Sequence, residues 1–241
     1  MNAVTWKQLK ALGLADVTQA ALLKAKSYIP RYNPHYFLRE ITGLIHVGAH
    51  VGQERKMYAK WDLNVLWVEA APDIFAKLCE NIGTYPSQTA ANCLLTDRDD
   101  AEYVFHIANN YGESSSILEL HDHKKIWPEV RFERDVKLRS ITLDSLLVKL
   151  NKSITDYQAL VMDTQGSELL VLKGAASSLR FLKFVKVEAW DFEAYLGCPK
   201  VTDVVDYLNE YNFQIIRQDK FPQPVSDKGQ CYELLFRKKG A

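Results

Sequence analysis

The residues best placed for chemistry are two glycines and two acids. Gly48 and Gly52 lie in HVGAHVG, residues 46–52, after an apolar run and before a helical stretch. Glycine there permits a tight turn or a close backbone approach. Such a turn presents free backbone N–H groups at a helix start, where a carboxylate or phosphate is favoured. Glu69 ends the next apolar run, in VEAAP, 21 residues beyond Gly48. An acid in that place can accept hydrogen bonds from both hydroxyls of a ribose. Asp163 ends another apolar run, at the head of DTQGSELLVLKGA. In a doubly wound sheet its strand end borders the same crevice, where it can face a cationic group of a ligand or orient an acceptor hydroxyl.

A second rank of candidates surrounds these. Glu188 ends the apolar run FVKVEAW and stands behind Asp163 as a proton acceptor for a hydroxyl nucleophile. His46 and His50 sit at the first turn, within reach of a cofactor or an acceptor. Ser114, Ser115 and Ser116 belong to a polar loop, YGESSSILELHDHKK, which is expected to cover the site. No metal is expected: neither His46 with His50 nor His121 with His123 reproduces HExxH on one helical face. The glycine spacing is GxxxG and lacks the middle glycine of the dinucleotide fingerprint GxGxxG. An NAD-dependent oxidoreductase on a similar sheet is therefore the alternative reading, and a non-catalytic module that keeps the fold is another.

The elements that must carry these residues alternate. Strand-like runs are ITGLIHVG, VLWVEA, TAANCLLT, EYVFHIAN, YQALVMD, FVKVEAW, FQIIRQ and CYELLFRK. Helices are expected over Gln53–Trp61, from Pro72 to Asn81 with proline at the first turn, after Thr142 or Asp144, over SELLVLKGA with Ser167 as N-cap and Gly174 as stop, and over VTDVVDYLNEYN. Runs that are apolar throughout, alternating with helices, imply a mostly parallel sheet covered on both faces. EYVFHIAN alternates and reads as an antiparallel strand. One of the last two strands should also run antiparallel, because only the Pro-rich FPQP turn separates them. Residues 1–40 read as a helical extension and linker, helical to about residue 28, and the catalytic domain takes residues 41–241. The N-terminal helices are candidates for a homodimer contact.

Composition narrows the class. The chain has 241 residues, 47% hydrophobic, with 30 Lys and Arg against 30 Asp and Glu. A zero net charge gives no excess to neutralise a phosphate backbone, so nucleic acid is not an expected partner. The four cysteines form no CxxC pair and read as reduced thiols. No apolar run reaches a membrane span, and MNAVTWKQLK lacks the core of a secretory signal. The expected location is the cytoplasm.

Read in order, HVGAHVGQE, WVEAAPDIFAKLCENI, NCLLTDRDD, SSSIL, ITLDSLL, MDTQGSELLVLKGA and VEAWDFEAYLGCP resemble the FkbM-type methyltransferases across roughly residues 41–236. The resemblance implies S-adenosylmethionine as cofactor and a Rossmann-like class I fold with a seven-stranded sheet. It implies acceptors that are often hydroxyls on sugars, glycans or polyketide-like metabolites. Carried over by residue, Gly48, Ala49 and Gly52 would lie along the amino-acid portion of the cofactor. Glu69, with Ala70 beside it, would hold the ribose, and Asp163 would stand near the methyl donor. Asp97, after the third strand, is a candidate for the adenine amino group. The sequence departs from the family where His46 replaces a common Asp and His50 a common Asn, and where two alanines separate Glu69 from Pro72.

Overall fold

A computed structural model describes residues 33–221 and 229–240. The chain divides into two compact units, residues 1–40 and 41–241. In the first, Tyr36–Glu40 forms a 3-10 turn with the Arg39 guanidinium over the Tyr36 ring. The expected helix over residues 1–28 and its dimer contact lie outside the described residues, as does most of the FPQP turn.

The second unit is built on a seven-stranded sheet. In chain order its elements are β1 (Gly43–Val47), α1 (Arg55–Lys60), β2 (Asn64–Glu69), α2 (Pro72–Ile82), β3 (Gln88–Asn92), β4 (Leu94–Leu95), β5 (Glu102–Ala108), α3 (His123–Ile126), β6 (Phe132–Ile141), α4 (Leu143–Lys149), β7 (Ala159–Met162), α5 (Glu168–Lys173), β8 (Phe184–Trp190), α6 (Val201–Glu210), β9 (Phe213–Lys220) and β10 (Cys231–Lys238). The sheet order is β3-β2-β1-β7-β8-β10-β9, and β10 alone runs against the rest. β1 and β7 are fully buried, as strands covered on both faces must be. This is the Rossmann-like, mostly parallel seven-stranded arrangement that the family resemblance implies.

Alternation along the strands separates the two faces. Ile45, Val47, Leu66, Val68 and Val187 pack with apolar side chains of α4, α5 and α6 in the main core. On the other face α1 places Tyr58 against Trp67 and His46. α2 follows the rule for an amphipathic helix: Pro72 opens it, and Ile74, Leu78 and Ile82 make the buried stripe. α4 starts at Thr142, whose hydroxyl accepts from the Ser145 N–H.

Three local readings change. TAANCLLT is two strands, because the Asn92 side-chain amide donates to the Glu69 and Ala70 carbonyls and ends the pairing with β2. The chain then leaves the main sheet, and β4 pairs parallel with β6 in a small sheet completed by β5. α1 is shorter than Gln53–Trp61, since the chain is still turning beyond Gly52. At α5 the Ser167 side chain does not cap. The Glu168 carboxylate turns back instead and accepts from the Thr164 and Gly166 N–H groups, while Ser167 Oγ donates to the Thr164 carbonyl.

β1 is paired by β2 on one side and by β7 on the other. The order of the strands reverses there, and the crevice beyond their carboxyl ends is the natural ligand position in such a sheet.

Candidate active site

The turn after β1 is fixed from both sides. The N–H groups of Gly48 and Ala49 both donate to the Val68 carbonyl of β2. Gly48 has φ +71°, and a Cβ on it would lie 1.8 Å from the Asp163 carbonyl oxygen. Glycine therefore lets the tip of β1 touch the tip of β7, which sets Asp163 beside the turn. His50 takes the left-handed conformation without being glycine, at φ 48°. Its N–H donates to Glu69 Oε2 at 2.8 Å. Its ring Nε2 donates to the Tyr111 carbonyl, so Nδ1 accepts from the Gln53 amide.

Glu69, at the end of β2, is buried, and burial pushes its carboxyl above the usual range. The backbone N–H groups of Ala71 and His50 oppose that shift. Each takes one carboxylate oxygen at 2.8 Å. A carboxylate has about four acceptor positions, and with the Ala70 N–H also directed at it it still has room to accept from a ligand.

These groups open on a cavity of about 940 Å³, room for a nucleoside-sized ligand and a second molecule. His46, Gly48, Ala49, His50, Glu69, Ala70, Ser114, Ser115, Asp163 and Glu188 all line it. Gly52, Asp97 and Ser116 are not on its wall. At Gly52 a Cβ would meet Leu78 of α2 at 2.8 Å, so that glycine serves helix packing. Asp97 pairs with its neighbour Arg98. Ser116 is fully buried and donates to the Gln165 carbonyl.

His46 reaches the wall but is held by packing. Its ring stacks on Trp67 at 5.0 Å between centroids, and Nδ1 meets the Tyr58 hydroxyl at 3.2 Å. Burial, helped by Lys186, pushes its pKa down to about 3, so it is neutral. The serines mainly order the loop. Ser115 Oγ accepts from the Ala108 N–H, and Ser114 Oγ accepts from the Asn110 amide and meets His123 Nε2.

The acidic end of the cavity lies over β7, β8 and β10. The Asp163 side chain is reached from the cavity yet surrounded by protein. Burial raises its pKa, Glu54 adds to the rise, and a hydrogen bond from Gln165 Nε2 to Oδ1 at 2.5 Å opposes it. Glu188 is pushed up further, by burial first and then by the charge of Asp163, with the Cys231 thiol against it.

The structure adds residues that the sequence did not place in the site: Gln165, Tyr195, Trp127, Trp190, Phe221 and His123, which the sequence weighed only as a metal ligand. All but Tyr195 line the cavity, and Tyr195 supports Gln165 from behind. Gln165 could have been noticed from its place between a strand-end acid and a glycine. Trp190 closes β8, whereas His123 and Trp127 come from the covering loop and the turn after it, Tyr195 from the stretch after β8 and Phe221 from the turn after β9, segments without a periodic signal.

The sequence matches the methyltransferase FkbM domain over residues 46–215. No curated protein sequence matches it. Solved structures that share its outline include the fibrillarin pre-rRNA processing protein of Methanococcus jannaschii, at 10% identity and a TM-score of 0.48 over 84% of this chain and 69% of that one. The N-methyltransferase NodS of Bradyrhizobium japonicum aligns at 10% identity and a TM-score of 0.46, over 82% of this chain and 86% of its own. Magnesium protoporphyrin IX methyltransferase of Synechocystis, solved with bound S-adenosylmethionine, aligns at 9% and 0.43, over 99% and 86%.

Proposed function

The chain belongs to the FkbM methyltransferase family, and on that premise we propose that it moves the methyl group of S-adenosylmethionine onto a hydroxyl oxygen of a sugar, glycan or other small metabolite. Membership sets aside the NAD-dependent alternative. The observation that carries the reading is the convergence of Gly48, Glu69 and Asp163, from three strand ends, on one cavity.

The donor set suits the cofactor. Glu69 keeps acceptor capacity on the cavity side, suited to neighbouring ribose hydroxyls. Gly48 and Ala49 leave the end of β1 without side-chain bulk for the amino-acid portion. Gly52 supports this turn from the α2 side and makes no wall of its own. The carboxylates of Asp163 and Glu188 suit a cationic neighbour.

When bound, the cofactor supplies an electrophilic methyl carbon whose bonding pair stays with sulfur as the carbon leaves. The residues of the chain then have two tasks. One is alignment of the acceptor oxygen, which can supply on the order of 7–11 kcal/mol by positioning alone. The loop carrying Ser114 and Ser115 and the walls formed by Trp127, Trp190 and Phe221 perform it, and they displace water. The other is proton removal, worth about 10²–10⁴-fold. Asp163 takes the hydroxyl proton as the new C–O bond forms. Glu188, on the same cavity wall, stands second to it as proton acceptor.

The acceptor is taken to be a small molecule or glycan rather than nucleic acid, in keeping with the zero net charge. Among the described residues no helix is long and apolar enough to cross a membrane. Calorimetry with S-adenosylhomocysteine, followed by transfer of radiolabelled methyl to a panel of sugars and polyketide alcohols, tests the reading. Binding with label in an alkali-stable ether supports it. Label found only on nitrogen, carbon or carboxylate acceptors overturns the choice of oxygen nucleophile.

A further inference from the structure

Behind Asp163 stands a short chain of hydrogen bonds through Gln165 to Tyr195. Tyr195 is fully buried. Its hydroxyl has one proton and two carbonyl oxygens in range, Gln165 Oε1 at 2.6 Å and Ser114 O at 3.3 Å. The shorter contact takes the proton. With Oε1 so occupied, the other end of the amide is decided: Nε2 faces Asp163 and donates to Oδ1.

The backbone of Gln165 is held as firmly. It adopts φ 52°, a left-handed conformation that side chains with a Cβ rarely take, followed by Gly166 at φ 100°. Such strain persists only where surroundings enforce it, and it concentrates at functional sites. Here Ser116 Oγ donates to the Gln165 carbonyl at 2.8 Å. Space beyond Gly166 is closed by Cys198, Leu118 and Tyr195, each 3.1–3.2 Å from where a Cβ would be. Two separate segments, residues 114–118 and 195–198, thus fix one amide against one carboxylate.

We propose that Gln165 and Tyr195 are a positioning pair for Asp163, presenting an amide N–H to Oδ1 so that the carboxylate stays ionised with Oδ2 left for the acceptor's proton. The proposal rests on the reading of Asp163 as the proton acceptor. A proton on Oδ1 would put two donors head to head, so the arrangement favours a carboxylate that is empty at Oδ1 and receptive at Oδ2. The need is real, because Asp163 is crowded by like charge. Glu54, Glu188 and Glu168 face it electrostatically, with Lys186 and His50 opposing them and Tyr195 set behind Gln165. Without a donor, a carboxyl crowded by these groups in a protein-walled recess would hold its proton.

The test needs no acceptor. The full chain, carrying carboxyl-labelled Asp and saturated with S-adenosylhomocysteine, is titrated by carbon NMR, and Asp163→Asn identifies the Asp163 signal. Gln165→Leu should raise the Asp163 midpoint by roughly 0.5–1 pH unit through loss of the donor. Tyr195→Phe should raise it by less, because the amide remains but is no longer oriented. In Gln165→Leu the Tyr195 hydroxyl can still turn to Ser114 O, so that variant leaves no orphaned buried donor. Should it fail to fold, Tyr195→Phe decides alone. A midpoint that is unchanged or lowered in the folded variants overturns the proposal. Failure of Asp163 to act as base would show separately, as methyl transfer that survives Asp163→Asn while the midpoint shifts persist.

Discussion

The N–H of His50 donates to Glu69 Oε2 at 2.8 Å, which makes the bend after β1 and the tip of β2 a single unit. The same His50 ring holds the Tyr111 carbonyl of the covering loop. One residue therefore ties together the turn, the acid proposed to hold the ribose and the segment that covers both. A residue with a Cβ at φ 48° is tolerated because these bonds over-determine it.

From this follows the effect of removing the acid. Glu69→Ala leaves two ribose hydroxyls without an acceptor and two backbone N–H groups, of His50 and Ala71, without theirs. Affinity for S-adenosylhomocysteine should fall by about 1–3 kcal/mol, roughly 5- to 150-fold. Calorimetry on the folded variant measures it. Unchanged affinity would take Glu69 out of the site.

Gly48→Ala should be worse than its size suggests. The new methyl would stand 1.8 Å from the Asp163 carbonyl, backbone that cannot swing aside, and the residue would be held at φ +71°. Strain of that kind costs about 1–3 kcal/mol before the clash is counted. Either β1 and β7 part or the turn rebuilds, so loss of stability should come with loss of cofactor binding. A variant with wild-type melting temperature and affinity would contradict the close approach.

Much of this was legible in the sequence, for a physical reason. Gly48, Glu69 and Asp163 each end an apolar run, and strand ends are where a parallel sheet collects its ligands, so position along the chain translated into position in space. The rest depended on contacts between distant segments. Asp97 looked equivalent, at the end of a run, but β4 leaves the main sheet just before it and Asp97 turns to Arg98. Ser167 looked like a helix cap until Glu168 took over that task. Tyr195, 32 residues past Asp163 in sequence, meets the site only through the fold.

Glu168 sets a pH dependence of stability that can be measured. Burial, the largest cause, raises its pKa to about 7 despite hydrogen bonds from backbone N–H groups. In the unfolded chain it titrates near the ordinary glutamate value of about 4.3. Between those values the folded state binds the extra proton, so stability is lost as pH rises through the window. Glu168→Gln keeps an oxygen for the Thr164 and Gly166 N–H groups but carries no charge. Relative to the wild type it should gain stability as pH rises from about 4 to 8, by an increment on the order of a few kcal/mol, with a matching rise in melting temperature. A difference in melting temperature that does not change with pH would show that the carboxylate is compensated there.

His46 sets the opposite slope. Its folded pKa is about 3, with burial as the main cause and Lys186 adding to it, against about 6.5 when unfolded. Below pH 6.5 the unfolded chain takes up a proton that the folded chain refuses, so stability falls as pH falls toward 3. His46→Gln removes that titration while keeping a polar group near the Tyr58 hydroxyl. At pH 8 the wild type should be the more stable, through its stacking on Trp67. Its advantage should then shrink by about 1.4 kcal/mol per pH unit below 6.5. Urea unfolding at pH 8, 6 and 5 follows the difference. A constant gap between the two proteins across that range would mean that His46 accepts its proton in place, and that its side of the wall is wetter than the packing implies.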